Sequence, residues 1–126
     1  MLLEKSAELK IELNTLTEGH GTALHLALND NHLKIVEILF EKYTELNIDP
    51  NAKDYSGRTI FHLACMYGET RIVELMFNYP EFQNTTLRAQ TNSGRTGLQI
   101  AIEKEYPDIV DLIKKKTKKW PHSIVW

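Results

Sequence analysis

An all-α solenoid of stacked helix-turn-helix repeats with short hairpin loops is the fold class that this sequence predicts, on three observations. The run Thr22-Ala-Leu-His-Leu-Ala27 returns as Thr59-Ile-Phe-His-Leu-Ala64 and, degraded, as Thr96-Gly-Leu-Gln-Ile-Ala101, at two steps of 37 residues. A second run keeps that step: Ile35-Val36-Glu37, Ile72-Val73-Glu74 and Ile109-Val110-Asp111. Between the two runs of a copy stands a residue suited to stopping a helix, Asn31 in the first copy and Gly68 in the second. Self-similarity at a period of this size marks units that bury their apolar faces only by stacking. Such an array offers an extended surface rather than a closed pocket, so binding is expected and catalysis needs separate evidence.

The middle copy reads most cleanly. Asp54-Tyr-Ser-Gly57 is a tight turn in which Gly57 can take a positive φ. Thr59 then caps a helix over Ile60–Tyr67, its hydroxyl accepting from unpaired first-turn amides. Gly68 stops that helix in the left-handed conformation. Thr70 to about Tyr79 form a second helix, with Ile72, Val73, Leu75 and Met76 as its apolar face. Pro80 follows, where a proline is expected after a helix. Ala64 marks a close approach between two helices.

The flanking copies repeat the plan. Copy one pairs Ala23–Asp30 with Leu33–Tyr43, and Asn31 tolerates the left-handed region. Copy three pairs Gly97–Lys104 with Pro107–Lys116, and Pro107 suits a first helical turn, where its missing amide costs nothing. Glu105 is a poor stop residue, so a less regular turn is expected there. Residues 1–14 shadow the end of a second helix and its exit loop, with Leu2-Leu3-Glu4-Lys5 matching Leu39-Phe40-Glu41-Lys42. The covering first helix is missing, so the chain reads as a section of a longer array or as one with a crude N-terminal cap. Leu2, Leu3, Leu9 and Ile11 are then expected to fray or to support weak self-association of a monomer through that face. Three full repeats lie near the lower limit for a stable stack, so modest stability is expected.

This pattern resembles the ankyrin repeat, whose signature is similar to the Thr-x-x-His-x-Ala core quoted above. The resemblance runs from residue 14 to residue 116 and ends each unit in an Asn51-Ala52-like lead into the next turn. The family period is 33, so each unit here carries four extra residues, placed in Glu41–Pro50 and Asn78–Arg88. No copy has the family's proline after the threonine, and Gln99 replaces the third histidine. The division that follows is a partial repeat or cap over 1–14, an array over 15–116 (about 15–50, 51–87 and 88–116) and a basic tail over 117–126.

Composition narrows the function. An apolar fraction of 42% supports a packed core, and no apolar run approaches the roughly 18 residues of a membrane span. The start, Met1-Leu-Leu-Glu-Lys, turns charged at once, unlike a secretory signal. A single cysteine, Cys65, fits a reducing compartment, cytoplasmic with the nucleus as the alternative. Residues 114–126 carry five lysines and no acid, leaving residues 1–113 at −7 within a total of −2. An acidic body argues against nucleic-acid readout, which needs a basic face.

Candidates for chemistry each have a bland reading. His25 and His62 occupy one place in two repeats, and the resemblance implies that each ties its helix to a neighbouring turn. Cys65 replaces Leu28 and Ile102 of the other copies and behaves as a small buried hydrophobe. His20, His32 and His122 have no metal-ligand spacing, Asn84-Thr85-Thr86 is a glycosylation match discounted without a leader, and no phosphate loop is present. No enzyme, cofactor or metal site is expected. Lys114-Lys-Lys-Thr-Lys-Lys119 reads as a solvated helix end favoured by the helix dipole, with nuclear import or contact with nucleic acid or an anionic surface as alternatives. Trp120 is expected to fold back onto the last helix.

The resemblance implies a non-enzymatic protein–protein interaction module, a docking segment of a larger protein or a small ankyrin-type inhibitor. Its partner would meet the hairpin tips and the exposed side of the first helices. Carried onto this chain, these positions are Lys53, Tyr55, Ser56, Arg58, Met66 and Tyr67 in the middle copy, with Asn29 and Asp30 before it. Copy three supplies Asn92, Arg95, Glu103 and Lys104, with Gln90 and Ser93 beside them. Tyrosine, arginine and methionine are enriched in interfaces, which singles out the middle copy, with packing of Met66 and Tyr67 against neighbouring helices as the alternative. Glu18, Asp30 and Glu103 predict a partner with a basic rim.

Overall fold

The computed structural model describes residues 21–42, 45, 48–49, 51–78, 82 and 85–117. The partial repeat over 1–14, the Pro80 stop, about half of the two exit loops and the placement of Trp120 lie outside the described residues. Within them the chain forms α1 (Ala23–Asn29), α2 (Leu33–Glu41), α3 (Ile60–Tyr67), α4 (Thr70–Met76), α5 (Gly97–Glu103) and α6 (Pro107–Thr117), with a 3-10 turn over Thr86–Arg88. The first helices α1, α3 and α5 pack side by side, the second helices α2, α4 and α6 form a parallel row, and each pair closes as a hairpin. The result is two layers of helices in three stacked repeats.

The helix caps follow their local residues, and one stop is imposed by the stack. Thr22, Thr59 and Thr96 are extended N-caps, the β-region conformation that such residues adopt ahead of a helix. Gly68 stops α3 at φ 73°, and Asn31 takes the equivalent place after α1 at φ 63°. Glu105 adopts φ 61° at the third stop, so that turn is as regular as the others. The stack imposes the left-handed residue even where the side chain disfavours it. Tyr106 follows it, and its amide bonds the carbonyl of Ala101 at 3.0 Å, as His32 bonds Ala27. Helix α2 ends at Glu41 and α4 at Met76, less than one turn before the expected limits.

The hairpin tips are built from one motif. Asp54 Oδ1 accepts from the amides of Ser56 and Arg58 at 3.0 and 2.9 Å, while Gly57 turns the chain at φ 77°. Thr91 does the same for the next tip, its Oγ1 accepting from the Arg95 amide at 3.2 Å. Adjacent tips are stitched together: the Asn92 amide donates to the Ser56 carbonyl at 3.0 Å and its side chain to the Tyr55 carbonyl at 2.9 Å. Further back, Asn51 accepts from the Thr86 hydroxyl at 2.7 Å and donates to that of Thr85 at 2.9 Å.

Burial follows position in the stack. Ala64 and Ala101 are fully buried at the helix crossings. Val36, Leu63, Ile72, Val73, Met76 and Ile109 fill the interior between the rows. The extra residues of the second unit return an aromatic to this core, because Phe82 packs edge-on against Phe61 and Phe77, with ring centroids 4.9 and 4.8 Å apart. At the ends the same register positions open to solvent. Ile35 is 50% exposed although its counterparts Ile72 and Ile109 are buried, and Ile102 is 48% exposed although Leu28 and Cys65 are buried.

Candidate functional site

Two buried histidines fix first helices to the hairpin tips of the following repeats. His62 Nδ1 accepts from the backbone amide of Thr59 at 3.0 Å, and its Nε2 lies 2.9 Å from the carbonyl of Ala89 in the next repeat. An accepting Nδ1 requires the proton on Nε2, which therefore donates to Ala89. His25 repeats the arrangement with Thr22 at 3.0 Å and the carbonyl of Arg58 at 2.8 Å. Burial pushes both imidazoles below their usual range, against the raising effect of those carbonyl bonds. Neutral, buried and saturated, they are joints between repeats.

Cys65 is fully buried in α3, and burial pushes its thiol far above the ordinary range. A thiol held neutral is a poor nucleophile. Native protein is accordingly expected to resist iodoacetamide at pH 8, with alkylation appearing on unfolding, as read by intact mass. Modification as fast as that of a free thiol in native buffer would contradict the packing. Among the described residues, no three His, Cys, Asp or Glu side chains gather as a metal site. No described helix is long and apolar enough to cross a membrane.

The expected contact positions fall into two groups. Ser56, Arg58, Met66, Arg95, Glu103 and Lys104 converge with Thr91, Ser93 and Ile100 on one open cleft of about 320 Å³. It lies across the boundary of the second and third repeats, between two hairpin tips and the inner faces of α3 and α5. Arg58 is held there by Asp54, with Nε 2.9 Å from Oδ2, and its Nη1 lies 3.6 Å from the Met66 sulfur. Arg95 pairs with Glu103 at 2.9 Å, both about half exposed.

The other six stand outside that cleft. Tyr55 projects from its tip at 74% exposure, next to exposed Lys53. Tyr67 donates its hydroxyl to Asn29 at 2.7 Å, which joins two of the expected residues across the first two repeats beside exposed Asp30. Asn92 is committed to the Tyr55 carbonyl. Thr91 and Ile100 line the cleft without having been singled out. Both could be found by register, since Thr91 stands 37 residues after Asp54, and Ile100 after Leu63.

Comparison with known proteins agrees with this geometry. A family model described as ankyrin repeats in three copies matches residues 46–121, and a single ankyrin repeat model matches residues 20–55. No curated protein sequence matches the chain. Ankyrin repeats are in general protein–protein interaction modules, and the helix pairs, left-handed stops and bridging histidines described above are their architecture. The chain belongs to the ankyrin repeat family.

Proposed function

We propose that this protein is a non-enzymatic docking module that holds a segment of a protein partner along the concave face made by the hairpin tips and the first helices. The observation that supports it most is the convergence of six expected contact residues from two repeats on one cleft. The cleft's walls are rigid: Asp54 and Thr91 set the tips, Asn92 ties them together, and the histidines lock helices to tips. Rigid walls lower the entropic cost of binding. Exposed Tyr55 extends the face at the rim. A scaffold arm of a larger protein or a small inhibitor of the ankyrin type would both use such a face, in the cytoplasm or the nucleus.

The competing reading places the function on the lysines. Lys114, Lys115 and Lys116 are exposed in the last turn of α6, where a helix end favours cations. Affinity capture from lysate separates the two. A Tyr55→Ala/Arg95→Ala/Lys104→Ala variant changes only exposed side chains, so it is expected to fold with stability within about 1 kcal/mol of the parent. Captured proteins should be lost by that variant and retained by a Lys114→Gln/Lys115→Gln/Lys116→Gln protein. Retention by the first variant with loss from the lysine variant would move the function to the lysine cluster.

A further inference from the structure

We infer that the cleft selects an acidic linear segment of its partner, seating an Asp or Glu carboxylate between Arg95 and Lys104 with a neighbouring apolar side chain on Met66 and Ile100. This rests on the concave-face reading above and deepens it by naming the chemistry of the segment. The first support is a local reversal of charge. Residues 1–113 carry a net charge of −7, yet the cleft is lined by Arg58, Arg95 and Lys104 against the single carboxylate of Glu103. Asp54 sits behind Arg58 with its side chain 1% exposed, its oxygens taken by the Arg58 guanidinium and by the amides of the tip. Even with Asp54 counted, the site remains positive. The basic partner rim expected from Glu18, Asp30 and Glu103 is therefore not the complement of this cleft.

The second support is availability. Arg58 is fixed by Asp54, but Arg95 and Glu103 are 51% and 48% exposed and form a surface pair worth no more than about 1 kcal/mol. An incoming carboxylate can replace Glu103 at little cost. Lys104 is exposed and makes no ion pair among the described residues. The third support is the lining between the charges. Met66 is half-buried and Ile100 nearly buried, so the cleft offers an apolar patch within reach of its cations. A cleft of about 320 Å³ is small for a folded surface and suits a few side chains of an extended segment. Opposite charge beside an apolar anchor gives orientation as well as attraction.

The test is display of random linear dodecapeptides on phage, selected against the full chain and against an Arg95→Glu/Lys104→Glu variant. Far-UV circular dichroism and the thermal transition serve to establish that the variant is folded. The parent is expected to enrich peptides with Asp or Glu adjacent to Leu, Ile, Met or Phe. A synthetic peptide of that kind should bind the variant on the order of tenfold more weakly or worse. Its binding should weaken as salt rises from low to physiological strength, because the groups are solvent-accessible. Glu103→Gln should tighten it by removing the competing carboxylate. Enrichment of basic or neutral peptides whose binding still responds to the charge reversal would overturn the acidic specificity and leave the concave face standing. Enriched peptides indifferent to the reversal would overturn both readings. Failure to enrich any peptide would overturn the proposal of a linear segment.

Discussion

Gly97→Ala is expected to destabilise the protein by about 2 kcal/mol, against the usual sign for glycine replaced by alanine in a helix. Gly97 opens α5 with an ordinary helical backbone, so its conformation is open to any residue. The obstacle is space. A Cβ built there falls 2.2 Å from one carbon of the Phe61 ring and 2.6 and 2.8 Å from two others. The ring has little room to retreat, because it is fully buried and packs in a T-shaped arrangement against Phe82, with ring centroids 4.9 Å apart. Alanine would gain at most about 1 kcal/mol in helix propensity, and less at the first helical position, so the overlap wins. The three copies show the exchange directly: Leu24 and Leu98 stand where the middle copy has Phe61, and only the residue facing Phe61 is a glycine. Phe61→Leu alone should cost about 1 kcal/mol, and Phe61→Leu/Gly97→Ala should recover much of the alanine penalty. Urea melts of the four proteins measure the coupling. A Gly97→Ala protein more stable than its parent would show that the ring moves freely.

His62→Ala should cost about 3 kcal/mol near neutral pH, since it removes a buried side chain and orphans the Thr59 amide and the Ala89 carbonyl. His62→Gln is the gentler change. Gln99 already caps the third copy this way, its Oε1 accepting from the Thr96 amide at 2.9 Å. Glutamine would keep the cap and weaken the bridge to the next repeat. The pH dependence follows from the lowered imidazoles. Below the unfolded value of about 6.5 the unfolded chain binds protons that the native rings refuse, so stability falls as the solution is acidified through and below that point. Each histidine contributes a slope of at most about 1.4 kcal/mol per pH unit. Protonation would put an N–H on Nδ1, facing the amides of Thr22 and Thr59, which are themselves donors. Urea midpoints from pH 7.5 to pH 5 should fall for the parent and flatten for a His25→Gln/His62→Gln protein. Equal slopes in both would assign the acid sensitivity to other groups.

Much of the fold could be read one residue at a time because each signal is local. Thr59 caps a helix and Gly68 ends one through chemistry confined to a few neighbouring residues, so their positions in the structure match those read from the pattern. Glu105 shows the limit of such reading. Its side chain opposes the left-handed turn, but Tyr106 must pack beside Gly68 of the preceding repeat, and tertiary contact overrides local preference. The contact residues divide in the same way. The resemblance implies a shared face for Arg58, Arg95 and Lys104, whereas their convergence with Thr91 and Ile100 depends on how two tips stack. Tyr67 and Asn29 are both expected contact residues, and only the stack brings them within hydrogen-bonding distance of each other.

The period of 37 by itself determined the repeat, the paired helices and the positions of their stops, and the resemblance to ankyrin repeats supplied the face on which a partner is expected. The tertiary structure alone decided which copy of a position is interior. Ile35, Ile72 and Ile109 are the same residue in the same register, yet the first is half exposed and the others are buried. Sequence encodes an apolar face for every unit, but burial requires a neighbour, and only stacking says which units have one. The sign of charge in the cleft was settled in the same way. It sums side chains from two repeats that no local window contains, and it comes out positive within an acidic body.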